Sequence, residues 1–226
     1  MGEASLESKL VAEALGVFAL TFIGAGSIIV GGLNGGEAAL LTVAIAHGLV
    51  LAVAVTATMN ISGAHINPAI TIAFLMTRRI DGTTAGLYIV AQLVGGVVAG
   101  GILFGIFGEG NFAGTPAPGM IEGVTLSASK VIVIEIVLTF LLMLAIMGTA
   151  VDPRAPAIGG WGIGLMVTAD ILMGGPLTGA AMNPARHFGT ALFEGLLGDA
   201  WMYWVGPIIG AGLCAMIYDR FLMADE

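Results

Sequence analysis

Apolar residues run along this chain in long, nearly unbroken stretches, interrupted at intervals by short clusters of glycine, proline and charge. A helix that crosses a lipid core needs about 20 apolar residues. Six stretches are long enough or nearly so: Leu10–Gly32, Ala38–Met59, Thr83–Phe107, Lys130–Val151, Ala157–Met173 and Trp201–Leu222. Turn chemistry separates them at Asn34-Gly35-Gly36, at Arg78-Arg79-Ile80-Asp81-Gly82, along Gly108–Gly119, and at Asp152-Pro153-Arg154-Ala155-Pro156. Two further apolar stretches, Asn67–Thr77 and Asn183–Phe193, are too short to span. Each opens with Asn-Pro, which suits a helix start with proline at its first position. They predict half-helices that enter the membrane and turn back. The first long stretch does not read as a cleaved signal, because Glu13 interrupts it and it is too long for the apolar core of such a peptide.

The half-helices belong to a duplicated motif, Ser62-Gly63-Ala64-His65-Ile66-Asn67-Pro68-Ala69 and Thr178-Gly179-Ala180-Ala181-Met182-Asn183-Pro184-Ala185. The copies are separated by about half the 226-residue chain, which marks an internal repeat, here about 8–107 and 129–222 within a single domain, 1–226. Three spans per half is an odd number, so the second half is inserted upside down and the two loops enter from opposite faces. Their helix starts then meet near the midplane, where exposed N–H groups and helix dipoles disfavour cations and protons. The residues before each asparagine, Gly63–Ile66 and Gly179–Met182, are not helical in this reading. Such backbone is tolerated at membrane depth only inside protein or along a wet cavity. The carbonyls of Gly63, Ala64, His65 and Ile66, and of Gly179, Ala180, Ala181 and Met182, are therefore candidate pore-lining groups.

Composition sets the class. Charged residues are 10% against roughly 25% in a soluble domain, and mean hydropathy is +1.02, so the fold class is an all-α integral membrane protein. A net charge of −8 excludes the clustered basic surface that a nucleic-acid partner needs. Placing both termini in the cytoplasm gathers Lys9, Arg78, Arg79, Arg154 and Arg220 there and leaves Lys130 outside, the bias expected of a multi-pass cell-membrane protein. Cys214 is the single cysteine and reads as a small buried hydrophobe, so no disulfide, metal or cofactor is implied. Among 36 glycines, the pairs Gly96/Gly100, Gly101/Gly105, Gly160/Gly164 and Gly206/Gly210 have the spacing that lets helices approach closely in lipid.

The paired Asn67-Pro68-Ala69 and Asn183-Pro184-Ala185 loops, with Arg186 directly after the second, make this chain similar to the aquaporin and aquaglyceroporin family over essentially its whole length. The resemblance implies six transmembrane helices, two re-entrant half-helices in an inverted repeat, and a homotetramer with one pore per subunit. Glu13 and Glu135 match the family's intramembrane glutamates that brace the loops, and Gln92, Asp152 and Gly206-Pro207 match further family positions. The constriction implied is His47, Ile171, Ala180 and Arg186, a set similar to that of plant tonoplast-type channels. Ile171 stands where strict water channels carry histidine. In this reading His47 and Arg186 supply two donors opposite a small apolar wall. Tyr203-Trp204 and Ala191, by contrast, resemble water-channel signatures.

The function expected is passive passage of water and of small neutral solutes, ammonia and urea before glycerol, with exclusion of ions and protons. A strict water channel is the alternative. A secondary transporter would need a coupling-ion site, for which Asp170 is the one spare buried acid, and an intramembrane enzyme would need a catalytic constellation that no motif here supplies. Asp170 is open to a backbone donor, a neighbouring helix or a solute. His187 reads as a partner behind the constriction, and His65 as a contributor through its carbonyl.

Overall fold

The computed structural model describes residues 4–33 and 40–223. The turn Asn34-Gly35-Gly36 and the start of the second predicted span lie outside the described residues. Eight α-helices follow in order among the described residues: α1 (Leu6–Leu33), α2 (Leu40–Ser62), α3 (Pro68–Met76), α4 (Gly82–Phe107), α5 (Ala128–Ile146), α6 (Trp161–Thr178), α7 (Pro184–Glu194) and α8 (Met202–Ile217). A two-residue hairpin pair, β1 (Met120–Ile121) and β2 (Val124–Thr125), sits in the loop between α4 and α5. α5 and α8 each end in a π-helical turn, Met147–Val151 and Tyr218–Leu222.

Local chemistry explains the boundaries. Asp81 caps α4 by accepting from the Thr83 and Thr84 amides. Asn67 and Asn183, both extended, cap α3 and α7 ahead of Pro68 and Pro184. The predicted fifth span is displaced, since α6 starts later than Ala157 and ends later than Met173. Pro153, Pro156 and left-handed Gly159 keep the preceding segment out of the helix. At the other end, Pro176 removes a single donor without stopping α6, and left-handed Gly179 terminates it.

Five helical segments are long and apolar enough to cross a membrane: α1, α2, α4, α5 with its π-turn, and Leu197–Leu222 around α8. α6, 18 residues with Asp170 and Pro176 inside it, is packed between α2 and α5 as the sixth. Each half-helix is covered by the other half of the chain, α7 against α4 and α3 against α8. Small residues make these approaches possible. A Cβ on Gly96 would overlap the Ala185 carbonyl, one on Gly100 the Gly189 carbonyl, and one on Gly210 the Ile136 carbonyl. Gly160 and Gly164 serve α2 in the same way, whereas Gly105 has nothing within 4 Å and takes no part.

Candidate functional site: a lumen through the helix bundle

The two motif loops meet head to head. Asn67 Oδ1 accepts from the Ala69 amide at 2.9 Å, and its Nδ2 donates to the Met182 carbonyl at 2.8 Å. Asn183 Oδ1 accepts from the Ala185 and Arg186 amides at 3.0 and 3.2 Å, and its Nδ2 donates to the Ile66 carbonyl at 2.8 Å. One amide proton of each asparagine thus ties the two half-helices together and the other remains for the lumen. The loops match in backbone as well. Ala64, Ile66, Ala180 and Met182 all have positive φ, between 45° and 52°. Non-glycine residues in that region cost on the order of 1–3 kcal/mol each and persist only where the surroundings hold them.

Two buried carboxylates do the holding. Glu13 accepts from the Ser62 hydroxyl (2.7 Å), the His65 and Ile66 amides (2.9 and 2.6 Å) and Gln92 Nε2 (2.7 Å). Glu135 accepts from the Thr178 hydroxyl (2.7 Å) and the Ala181 and Met182 amides (3.0 and 2.8 Å). Burying a carboxylate is costly unless it accepts hydrogen bonds, and here four donors reach Glu13 and three reach Glu135. Gln92 also donates to Thr71, joining α1, α3 and α4. Sequence reasoning assigned no role to Ser62, Thr178 or Tyr88, and treated Tyr203 only as a signature. Each hydroxyl of the first pair feeds its glutamate, while Tyr88 and Tyr203 donate to the Ser62 and Thr178 carbonyls at 2.8 and 2.9 Å. The matched offset of Ser62 and Thr178 before the two asparagines was the signal available.

A cavity of about 320 Å³ runs through this junction. Both asparagines line it, as do Gly63, Ala64, His65, Ile66, Ala180, Ala181 and Met182; Gly179 lines a second, larger cavity of about 840 Å³. The two cavities share His47 and Ile171, which places those side chains at the neck between vestibule and lumen. Arg186, in contact with His47, and Ala180 also line the lumen. Leu51, Val55, Leu142 and Val167 make much of the remaining wall aliphatic, and Arg79 lines it too.

At the neck, Arg186 Nη1 donates to the Gly114 carbonyl at 2.9 Å and Nη2 lies 3.2 Å from His47 Nε2. A guanidinium only donates, so Nε2 is the acceptor and the ring proton sits on Nδ1, donating to the Val43 carbonyl at 2.9 Å. Both nitrogens of His47 are therefore engaged. This corrects the sequence expectation of two donors facing the lumen: the guanidinium supplies the free N–H groups, and the imidazole holds it against the wall. Gly24 makes room, since a Cβ there would overlap the His47 ring. The Gly114 carbonyl comes from the α4–α5 loop, which carried no recognisable motif.

Of the remaining candidates, Asp170, His187 and Cys214 lie away from the lumen, whereas His65 lines it. Asp170 is buried at 3% exposure and lines neither cavity, and among the described residues its Oδ2 has no hydrogen-bond partner. His187 stacks on the Tyr203 ring at 4.2 Å, behind the neck. His65 Nδ1 lies 3.1 Å from Thr71 Oγ1. Cys214 is buried in the helix-packing core. Just after the π-turn of α5, and lining neither cavity, Arg154 grips Asp152 through Nε and Nη2 at 2.9 and 2.6 Å, holding that carboxyl below its ordinary range, and Arg79 pairs with Asp219 at 2.7 Å.

Comparison with known proteins identifies the family and the fold. Residues 2–218 match the family model described as Major intrinsic protein. The chain is 42% identical to "Aquaporin TIP4-4" of Zea mays, covering 99% of this chain and 90% of that one, and 35% identical to "Putative aquaporin NIP4-1" of Arabidopsis thaliana, covering 98% and 77%. Its fold superposes on the aquaglyceroporin from Plasmodium falciparum with a TM-score of 0.85 over 96% of this chain and 97% of that one, at 22% identity. The chain belongs to the major intrinsic protein family and is a passive membrane channel for water and small solutes, not an enzyme.

Proposed function

We propose that this channel passes water first, and ammonia and urea next, through a neck formed by His47, Ile171, Ala180 and Arg186. The observation that carries this reading is the parked guanidinium: Gly114 and His47 hold Arg186 to one wall while Ile171 and Ala180 offer neither bulk nor a donor opposite. A solute larger than water then meets one polar face and one apolar face. Glycerol is the least favoured because no aromatic wedge faces its carbon chain. Ions are excluded, since the two half-helix starts and Arg186 are positive and stripping a charge of water costs on the order of tens of kcal/mol in the low-dielectric limit.

The chain works as one channel domain with repeats of about 8–107 and 129–222. By resemblance to the family it assembles as a tetramer, one lumen per copy. Both termini face the cytoplasm of a cell membrane. In support, Arg79 pairs with Asp219 and Arg154 donates to the Leu222 carbonyl, which puts these arginines at the same end as the C-terminal segment. Stopped-flow light scattering of proteoliposomes with water, urea and glycerol, alongside proton conductance, tests the reading. Protein-dependent water and urea flux without proton current supports it. A proton current comparable to the water flux refutes it.

A further inference from the structure

The loop that delivers the Gly114 carbonyl to Arg186 is itself anchored, and the anchor lies on the same half-helix as the arginine. The Thr115 amide donates to Glu194 Oε2 at 3.1 Å. Gly114 C=O and Thr115 N–H belong to one peptide unit, which is planar and trans, so its oxygen and hydrogen point in opposite directions. A single rigid peptide thus bridges the Arg186 guanidinium on one side and the Glu194 carboxylate on the other. Both bonds are charge-assisted, and each polarises the peptide in the sense that strengthens its neighbour. Glu194 closes α7, about two turns beyond Arg186, roughly 12 Å along the axis. The half-helix therefore grips the loop at two points. Gly114 also lies close to α1, where a Cβ on it would come within 2.9 Å of the Ala25 side chain, and Gly119 donates to the Leu177 carbonyl at 2.8 Å. These contacts place the loop but leave the plane of the Gly114–Thr115 peptide to be set by Arg186 and Glu194.

We propose that Glu194 is a positioning residue for selectivity: through the Gly114–Thr115 peptide it keeps the Arg186 guanidinium against the wall and the neck open to solutes larger than water. The inference rests on the wide-neck reading given above. When the Thr115 amide loses its acceptor, the peptide is free to rotate and its carbonyl leaves Arg186. The freed N–H groups then turn toward the nearest polar medium, the lumen. Water passes a protruding guanidinium more easily than urea does, so the ratio of the two fluxes reports the arginine's position.

The test compares wild type, Glu194→Ala and Glu194→Gln in proteoliposomes, with urea and water permeability and hydrogen exchange of the Thr115 amide read on each. Glutamine keeps a carbonyl acceptor where the carboxylate oxygen was. In Glu194→Ala the urea-to-water ratio is expected to fall about tenfold, in keeping with the loss of one hydrogen bond to a charged group. Thr115 exchange should accelerate in the same variant, and Glu194→Gln should return both readouts to near wild type. An unchanged ratio, or equal loss of water and urea flux, overturns the proposal. Should wild type exclude urea, the wide-neck reading fails on that result alone, and exchange decides the role of Glu194: acceleration in alanine but not glutamine upholds the anchor, and slow exchange in all three removes it.

Discussion

Replacing Glu135 with alanine should collapse the second motif loop. The carboxylate accepts three hydrogen bonds, from the Thr178 hydroxyl and the Ala181 and Met182 amides, and all are buried. Hydrogen bonds to a charged acceptor are worth about 1.5–3 kcal/mol each, and a buried donor left without a partner costs about 1–3 kcal/mol. These contributions overlap, so a net loss of roughly 3–5 kcal/mol is the reasonable figure. The same bonds hold Ala180 and Met182 at positive φ, and once released those residues relax and withdraw the Met182 carbonyl from Asn67. For a chain of this size such a loss lowers the unfolding midpoint by on the order of 10 °C. Water flux should drop to the level of empty liposomes. Glu135→Gln should do less harm, because its carbonyl oxygen can still accept from the Thr178 hydroxyl and the Ala181 amide, and only the Met182 N–H, now facing an NH2 donor, loses its acceptor. Thermal unfolding in detergent and stopped-flow water flux on the same preparations give both readouts. An alanine variant that melts within about 2 °C of wild type and conducts water normally would refute the bracing argument.

Arg186→Val removes the fixed positive charge at the neck, and sodium or proton leakage measured with an entrapped dye should rise while the unfolding midpoint changes little. Water flux should resist mercurials, since Ala180 stands at the neck and Cys214 is buried away from the lumen; rapid, thiol-reversible block that disappears in Cys214→Ser would contradict that placement. The depressed carboxyl of Asp152 binds fewer protons folded than unfolded, so the stability its Arg154 grip contributes is present above the ordinary carboxylate pKa and lost only as pH falls through the depressed value. Melting curves from pH 7 to about 5 should therefore show no loss attributable to this pair, and Asp152→Asn should lower the midpoint equally across that window.

Features set by local chemistry were the ones legible in the sequence. Asn67-Pro68 and Asn183-Pro184 announce their helix starts because cap and proline act within one turn, and both half-helices begin at that proline. The ends of α5 and α8 were less legible: each apolar run continues smoothly into a π-turn that no residue type signals. α6 outlasts its predicted end because a proline near a helix C-terminus forfeits one bond, whereas the glycine after it stops the chain. At the neck, residue identities came from the family resemblance, and their roles depended on partners far away in the chain. The tautomer of His47 follows from Val43 and Arg186 together, and the acceptor for Arg186 comes from a glycine carbonyl in a loop without a motif. Asp170 stood out as a candidate because a buried acid is rare in a membrane helix, yet helix rotation turns it away from both cavities, beside the pore-facing Ile171.

The width of the neck is the central claim, and Ile171→His tests it most directly. The substitution places a ring where the aliphatic wall now faces Arg186, with no change at the motif loops or the bracing glutamates. Urea and water permeability are measured on wild type and variant reconstituted side by side. The wide-neck account predicts that wild type passes both and that the variant loses urea flux more than water flux. Equal loss of the two, or a wild type that excludes every solute except water, would contradict it and return the protein to the strict water channels.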